Sequence, residues 1–251
     1  MTARTVEGPP VPAETVVAAD LSDTRFDPGK GHVSLEGITA VNVDFSGQSY
    51  FDFRAEGCEF VDCDFSRVSV EWLPFADGGA RFLRCRFEEA RIGDFGDVTL
   101  IGCDFTNADL NGWFTWEADV IDCRFAGPLE GIVFTATDPD SRRRNEIRGN
   151  DFREADLVDV AFRDGVDLDA QLLPTGDEYL RIRDLPAALR QTRKQVKRWE
   201  RDDRRAASET LDLIGRIYDF QPDVFEKRKD LVECAHDPRI GERVVTLLAQ
   251  E

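Results

Sequence analysis

Five of the six cysteines recur in one setting: Cys58-Glu59-Phe60, Cys63-Asp64-Phe65, Cys85-Arg86-Phe87, Cys103-Asp104-Phe105 and Cys123-Arg124-Phe125. Recurring thiols raise three chemistries: metal binding, disulfide exchange and nucleophilic attack. Thiolate metal sites need close clusters such as C-x-x-C joined by further Cys or His. Neither His32 nor His236 lies beside such a cluster, so no metal is expected. The first twenty residues, MTARTVEGPPVPAETVVAAD, contain no apolar signal core. That makes the cytoplasm the expected compartment and free thiols the expected state. No phosphate-binding glycine loop, H-E-x-x-H or G-x-S-x-G motif occurs. The expectation is a protein that is not an enzyme, with no catalytic residues and no cofactor. No apolar run is long enough to span a bilayer, so no membrane partner is expected.

The second chemistry is acidic. The net charge of −18 is unevenly spread: residues 1–175 carry 16 Lys/Arg against 34 Asp/Glu, and residues 176–251 carry 16 against 16. Most of the phenylalanine lies in the acidic part, and the remainder reads Leu/Arg/Lys/Glu. The turn-rich Pro174-Thr175-Gly176-Asp177 marks a boundary. The expected organisation is a flexible segment over 1–18, a repeat domain over 19–173 and a helical domain over 177–251.

The elements that hold these groups follow from the spacing. Apolar residues recur every five positions, at Leu35, Ala40, Phe45, Tyr50, Ala55, Phe60, Phe65, Val70 and Phe75, each but Tyr50, which follows Gln48, with a small or apolar residue two before. A helix needs a period near 3.6 and a strand needs 2. A period of five suits a coil with short sides, in which the central residue and the one two before it point inward, as alternate strand residues do. Four sides make a coil of twenty. A column does recur at about twenty: Phe45, Phe65, Phe87, Phe105, Phe125 and, after an insertion of about seven, Phe152. The insertion places a projecting loop at 135–144. In a narrow coil, cysteine two before the centre is a small buried hydrophobe.

Ala19-Asp20-Leu21, Ala108-Asp109-Leu110, Ala155-Asp156-Leu157 and the Cys-x-Phe set resemble the pentapeptide-repeat family, over residues 19–168. That resemblance implies an all-β right-handed quadrilateral β-helix, here followed by a small α-helical C-terminal domain. Phase slips near Gly78-Gly79 and over 93–102, and the break at 135–144, depart from the pattern.

Outward charges then fall into columns. One reads Asp44, Asp64, Arg86, Asp104, Arg124, Asp151, a cross-strand ladder with opposite charges adjacent from Asp64 onward. Acids elsewhere look less compensated: Glu59, Asp62, Asp119, Asp122 and Glu146 around one face, with Asp109 and Asp156 on the next. These seven are the candidate partner-binding residues. Residues 21–168 carry 15 basic and 30 acidic residues. Seven coils spaced about 4.8 Å apart give one net charge per ~2.3 Å of rod, against one per ~1.7 Å of duplex DNA. An acidic surface also keeps a repeat protein soluble.

Some pentapeptide-repeat proteins resemble DNA and protect type II topoisomerases from inhibitors, and the Cys-x-Phe style here is similar to theirs. The resemblance therefore implies a DNA mimic that binds DNA gyrase or topoisomerase IV rather than nucleic acid itself. The other reading is a repeat scaffold whose helical domain recruits a different protein. Arg142, Arg143 and Arg144 form either a basic loop tip reaching an acidic patch on a partner, or a solvated loop. In such relatives a C-terminal element dimerises, so a homodimer through the C-terminal helices is a further expectation. The helical part is read with one helix from Pro186 through Arg205, one capped by Ser208, one starting at Pro222 and one capped by Asp237 before Pro238. Arg190–Arg205 holds eight Lys/Arg, taken as a solvated helix face rather than a nucleic-acid site.

Overall fold

A computed structural model of the chain describes residues 4–7, 15–17, 24–27, 31–72, 74–110, 112–138, 143–219 and 221–250. The chain divides into two compact units, residues 1–161 with 169–174, and residues 162–168 with 175–251.

The named strands that pair within the first unit are short and pair in parallel, and each sheet is open at its edges. The largest sheet runs in chain order through Thr39–Val41, Glu59–Val61, Ala80–Leu83, Val98–Ile101, Ala118–Ile121 and Ile147–Arg148. Its register aligns Ala40, Phe60, Phe82, Leu100, Val120 and Ile147. Those steps are 20, 22, 18, 20 and 27 residues, so the shortened and lengthened passes and the seven-residue insertion all return to one column. Two strands, Arg4–Glu7 and Thr15–Val17, fall in the stretch expected to be a flexible segment, and pair with Thr24–Asp27 and His32–Glu36. The other residues of 1–18 lie outside the described residues.

The inward column is an aromatic stack. Phe45, Phe65, Phe87, Phe105, Phe125 and Phe152 follow one another at centroid distances of 4.5, 5.1, 5.0, 5.1 and 4.8 Å, with rings within 10° of parallel. Those distances are the spacing of hydrogen-bonded strands, so the ring stack and the backbone ladder share one repeat. Phe60 stacks on Phe82 at 4.8 Å, and Phe53 on Phe75 at 4.8 Å.

The cysteines two before the column centres are free and buried. Each thiol reaches back one pass: Cys63 to the Ala40 carbonyl, Cys85 to Phe60 and Cys103 to Phe82, all at 3.4 Å, and Cys123 to Leu100 at 3.6 Å. Asn150 occupies the same place in the next pass, and its amide donates to the Val120 carbonyl at 2.9 Å. The slot therefore takes a small side chain that can donate. Hydrogen bonding to Cys85, together with burial, pushes the Cys63 thiol far up, and burial does the same to Cys85 and Cys103. Thiols held protonated are neither nucleophiles nor metal ligands.

Corners are made by left-handed backbone. Asn42, Asp62, Arg84, Gly102, Asp122 and Gly149 all have φ between 52° and 69°. Their N–H groups donate to Val61, Leu83, Ile101, Ile121, Arg148 and Ala170 in turn, which carries the ladder through the bend. Gly47, Arg67, Glu89, Asn107 and Gly127 make a second such corner. Asn, Asp and Gly enter this region at least cost.

The second unit pairs Tyr179–Ile182 with Val224–Lys227 antiparallel and packs four helices, α1 (Leu185–Val196), α2 (Arg201–Ile217), α3 (Arg228–Glu233) and α4 (Pro238–Leu248). Leu185, Leu211, Ile214, Leu231, Val244 and Val245 are buried in its core. Asp237 caps α4 as expected, accepting from Arg239 N at 2.9 Å, and Asp184 caps α1, accepting from Ala187 N at 3.0 Å. Three boundaries differ from the sequence reading. The long basic helix breaks at 197–200, where the Trp199 ring lies 3.6 Å from the Arg243 guanidinium carbon. Ser208 is inside α2 rather than at its start, and its hydroxyl donates to the Arg204 carbonyl. Pro222 precedes a strand, because residues 224–227 find a partner strand that a local pattern does not show. Residues 162–168 belong to this unit, although the repeat was expected to continue to 173. Gln221 holds them, donating to Val166 O at 3.1 Å and accepting from Gly165 N at 3.2 Å.

Truncating the middle of the aromatic stack tests its importance. Phe65→Ala removes parallel contacts on both sides and should lower unfolding stability by about 3–5 kcal/mol, measured by chemical denaturation. A loss under ~1 kcal/mol would show that the stack is not the main core.

Candidate partner-binding face

The seven candidate acids fall on three lines of the first unit. Glu59, Arg81, Thr99 and Asp119 occupy equivalent places on the six-stranded sheet, in register from strand to strand, and Glu146 immediately precedes its last strand. Asp62 and Asp122 sit in the left-handed corner that follows it. Asp109 is bridged to Arg91, which is bridged to Ser69, and Asp156 pairs with Pro128 on a neighbouring stretch.

The expectation that the first two lines are poorly neutralised is overturned. Arg84 grips Asp62 with two bonds of 2.7 and 2.8 Å, and this pairing holds the Asp62 carboxyl below the usual carboxylate range. Arg81 lies 3.9 Å from Glu59, and Arg148 lies 3.1 Å from Glu146. Asp119 accepts the Glu146 N–H at 2.8 Å and lies 3.5 Å from Arg143. For Glu59 and Asp62 the reason is register: the strand 22 residues on carries Arg81 and Arg84 to their height, while Arg148 lies two residues from Glu146 and Arg143 reaches Asp119 from the insertion. Asp122 alone of these five has no cation within salt-bridge distance among the described residues. Its carboxylate lies over Gly149, where an added Cβ would come within 1.9 Å of Oδ1.

The other outward column behaves as the charge ladder. Arg86 bonds Asp64 at 2.5 Å and Arg124 lies 3.3 Å from Asp104. Asp151 departs from it and is held by Arg153 at 2.6 Å, while Arg124 turns to Glu154 at 2.6 Å. The acids here also have a backbone task that the sequence reading missed. In Asp44-Phe45-Ser46, Asp64-Phe65-Ser66 and Asp104-Phe105-Thr106, the aspartate accepts the N–H two residues on at 2.9 Å each time. The recurring Asp-Phe-Ser/Thr triplet was the available signal. Burial pushes the Asp44 carboxyl up, but the Ser46 hydroxyl and N–H and the Arg25 guanidinium outweigh it and hold it low.

The described ends of the 135–144 insertion run antiparallel, with Thr137 bridged to Arg144. Ala136 O accepts from Asn145 N and Asp138 N donates to Arg143 O. Buried Asn145 pins its base, donating to the carbonyls of Thr115, Trp116 and Thr135 at 2.7, 2.9 and 3.1 Å. Arg142 lies outside the described residues. Arg144 is exposed, whereas Arg143 turns inward to bond Asp97 at 2.6 Å. It enters an acidic patch that also contains Asp77, Asp94 and Glu117. Burial, Asp77 and Glu117 push the Asp94 carboxyl from 3.8 up to about 6.

Among the described residues no group of three His, Cys, Asp or Glu could hold a metal ion, and no helix is long and apolar enough to cross a membrane.

Asp94 supplies a pH test. Because its carboxyl holds a proton to higher pH when folded, folding takes up a proton between pH about 4 and 6. Its contribution to stability is therefore lost as pH rises through that window. Asp94→Asn should stabilise the protein at pH 7 by about 1 kcal/mol, after solvent screening is allowed for, and leave it unchanged at pH 4. Equal effects at both pH values in thermal melts would contradict the assignment. Separately, Gly149→Ala should destabilise by about 1–3 kcal/mol, since it strains a φ of +69° and displaces the Asp122 carboxylate; a neutral result in urea titrations would show that the corner relaxes.

No family model matches the chain, and no curated protein matches it. Among solved structures it is similar to QnrB1, described as a plasmid-mediated fluoroquinolone resistance protein. One trypsin-treated variant of QnrB1 is 20% identical, with 59% of this chain and 91% of that chain covered and a TM-score of 0.27. A second trypsin-treated variant gives 17%, 60%, 91% and 0.20, and the full-length form gives 16%, 60%, 93% and 0.16. TM-scores this low carry no argument about fold or function.

Proposed function

We propose that the parallel stacks are the sides of a right-handed quadrilateral β-helix spanning 19–173, which acts without catalysis as a mimic of duplex DNA. On this reading it engages the DNA-binding surface of a type II topoisomerase, DNA gyrase or topoisomerase IV, and protects the enzyme from inhibitors or modulates its response to them. The observation that carries the proposal is the 4.5–5.1 Å repeat of the Phe45–Phe152 stack. It sets a regular rise along which an acid-rich outer surface is displayed, at a charge density near that of the duplex. Asp62, Asp109, Asp122, Glu146 and Asp156 are the exposed members of the candidate set, and Glu59, Asp62, Asp119 and Glu146 lie beside arginines. That pairing favours a second reading: a repeat scaffold for protein–protein contact, in which the helical domain over 177–251 recruits a partner other than a topoisomerase or dimerises.

A supercoiling assay separates the two. Titrated protein should inhibit gyrase, or restore its activity in the presence of a quinolone, and compete with duplex DNA. The Asp109→Lys, Asp122→Lys, Asp156→Lys triple variant should need about tenfold more protein for the same effect, with an unchanged circular dichroism spectrum. Absence of inhibition, rescue and competition in the parent protein would sink the mimic.

A further inference from the structure

Several outward acids of the first unit meet arginines, but one acidic pair aligned strand to strand does not. His32–Glu36 and Asp52–Glu56 are paired so that Glu36 lies directly opposite Glu56. Like charges in register destabilise a sheet. Another acidic pair in register, Asp44 and Asp64, is relieved by Arg25 and Arg86, and the neighbouring acids Asp119 and Glu146 lie beside Arg143 and Arg148. Glu36 and Glu56 have no cation within salt-bridge distance among the described residues. Arg54, on the same strand as Glu56, bonds Asp52 at 3.1 Å.

This unrelieved pair borders a groove of about 570 Å³ that also includes Asp77, Pro74 and Trp72. Trp72 is 59% exposed, the most exposed large hydrophobic residue among those described, and leans on Phe51, itself 41% exposed, at 5.7 Å. Phe51 in turn meets the His32 ring edge-on at 4.8 Å. Exposed aromatic ladders on a highly charged surface mark interaction sites. An indole face beside uncompensated carboxylates fits one chemistry, a planar cation with an apolar stem. Its charge is met by Glu36, Glu56 and Asp77, and its plane stacks on the ring.

We propose that this groove is a docking site for an arginine side chain on an extended segment of a partner protein, with Trp72 as the anchor. The charge complementarity of the groove decides the occupant: an acidic or apolar segment would leave the Glu36–Glu56 repulsion in place, whereas a guanidinium supplies what arginines of this chain supply elsewhere. The site stands whether or not a topoisomerase is the larger partner, because it uses none of the seven acids assigned to the DNA-like surface.

The test titrates the full chain with the peptide acetyl-Gly-Arg-Gly-Arg-Gly-amide by calorimetry at low salt. Trp72→Ala should weaken binding about tenfold, and Glu36→Gln with Glu56→Gln by a similar factor. Trp116→Ala, which removes another exposed tryptophan, should leave it unchanged. Circular dichroism and melting temperature check that each variant folds. No measurable binding by the parent protein overturns the proposal. So does Trp72→Ala binding as tightly as the parent, since diffuse charge would then account for the affinity, and so does an equal loss in Trp116→Ala. Inhibition of gyrase by Trp72→Ala at parental strength, with peptide binding lost, would separate this site from the proposed DNA mimicry.

Discussion

The first unit depends on a coincidence of two lengths. Parallel strands sit about 4.8 Å apart because that is where their hydrogen bonds form, and the phenylalanine rings of the inner column stack at 4.5–5.1 Å. One repeat satisfies backbone and core together, so the chain can add passes without repacking. Each pass must then return to the same height whatever its length, which is why steps of 18, 22 and 27 residues are absorbed outside the column. The cysteines follow from the same constraint. Two residues before the centres of this column, a thiol fits and donates to the carbonyl one pass back.

Much of this was legible in the residues. The five-residue period, the inward pairs and the Phe45-to-Phe152 column can be read because they are statements about one dimension, distance along the chain. The charge balance could not be read as easily, since it depends on register between passes of unequal length. Asp62 and Arg84 are 22 residues apart and bonded twice, and no local pattern shows it. Arg143, taken as part of a projecting basic tip, is held instead by Asp97 and Asp119. In the helical unit the caps at Asp184 and Asp237 are local signals. The break before Glu200 and the strand at Val224–Lys227 depend on partners distant in sequence, Arg243 and Tyr179–Ile182.

The two surfaces of the first unit differ in kind. Along the six-stranded sheet and the corner that follows it, most of the candidate carboxylates lie beside guanidinium groups, so they present alternating polarity more than bare charge. At the edge near Glu36, Glu56 and Trp72 the alternation lapses and an aromatic surface appears beside it. Neutralised acids hold a fold in register, and unneutralised acids beside an exposed ring leave favourable energy for something outside the chain to claim.

The left-handed corners carry a consequence for how this protein can change. Asp62 and Asp122 stand where the backbone itself favours Asn, Asp or Gly, so part of the acidity is a by-product of turning the chain. Aspartate and asparagine are close to interchangeable in that conformation. Shape and charge are therefore written at the same positions but can be edited separately. A lineage could move along an Asp-to-Asn series, from strongly anionic to nearly neutral, while every pass kept its height. Repeat proteins of this architecture would then be expected to vary widely in isoelectric point at constant form.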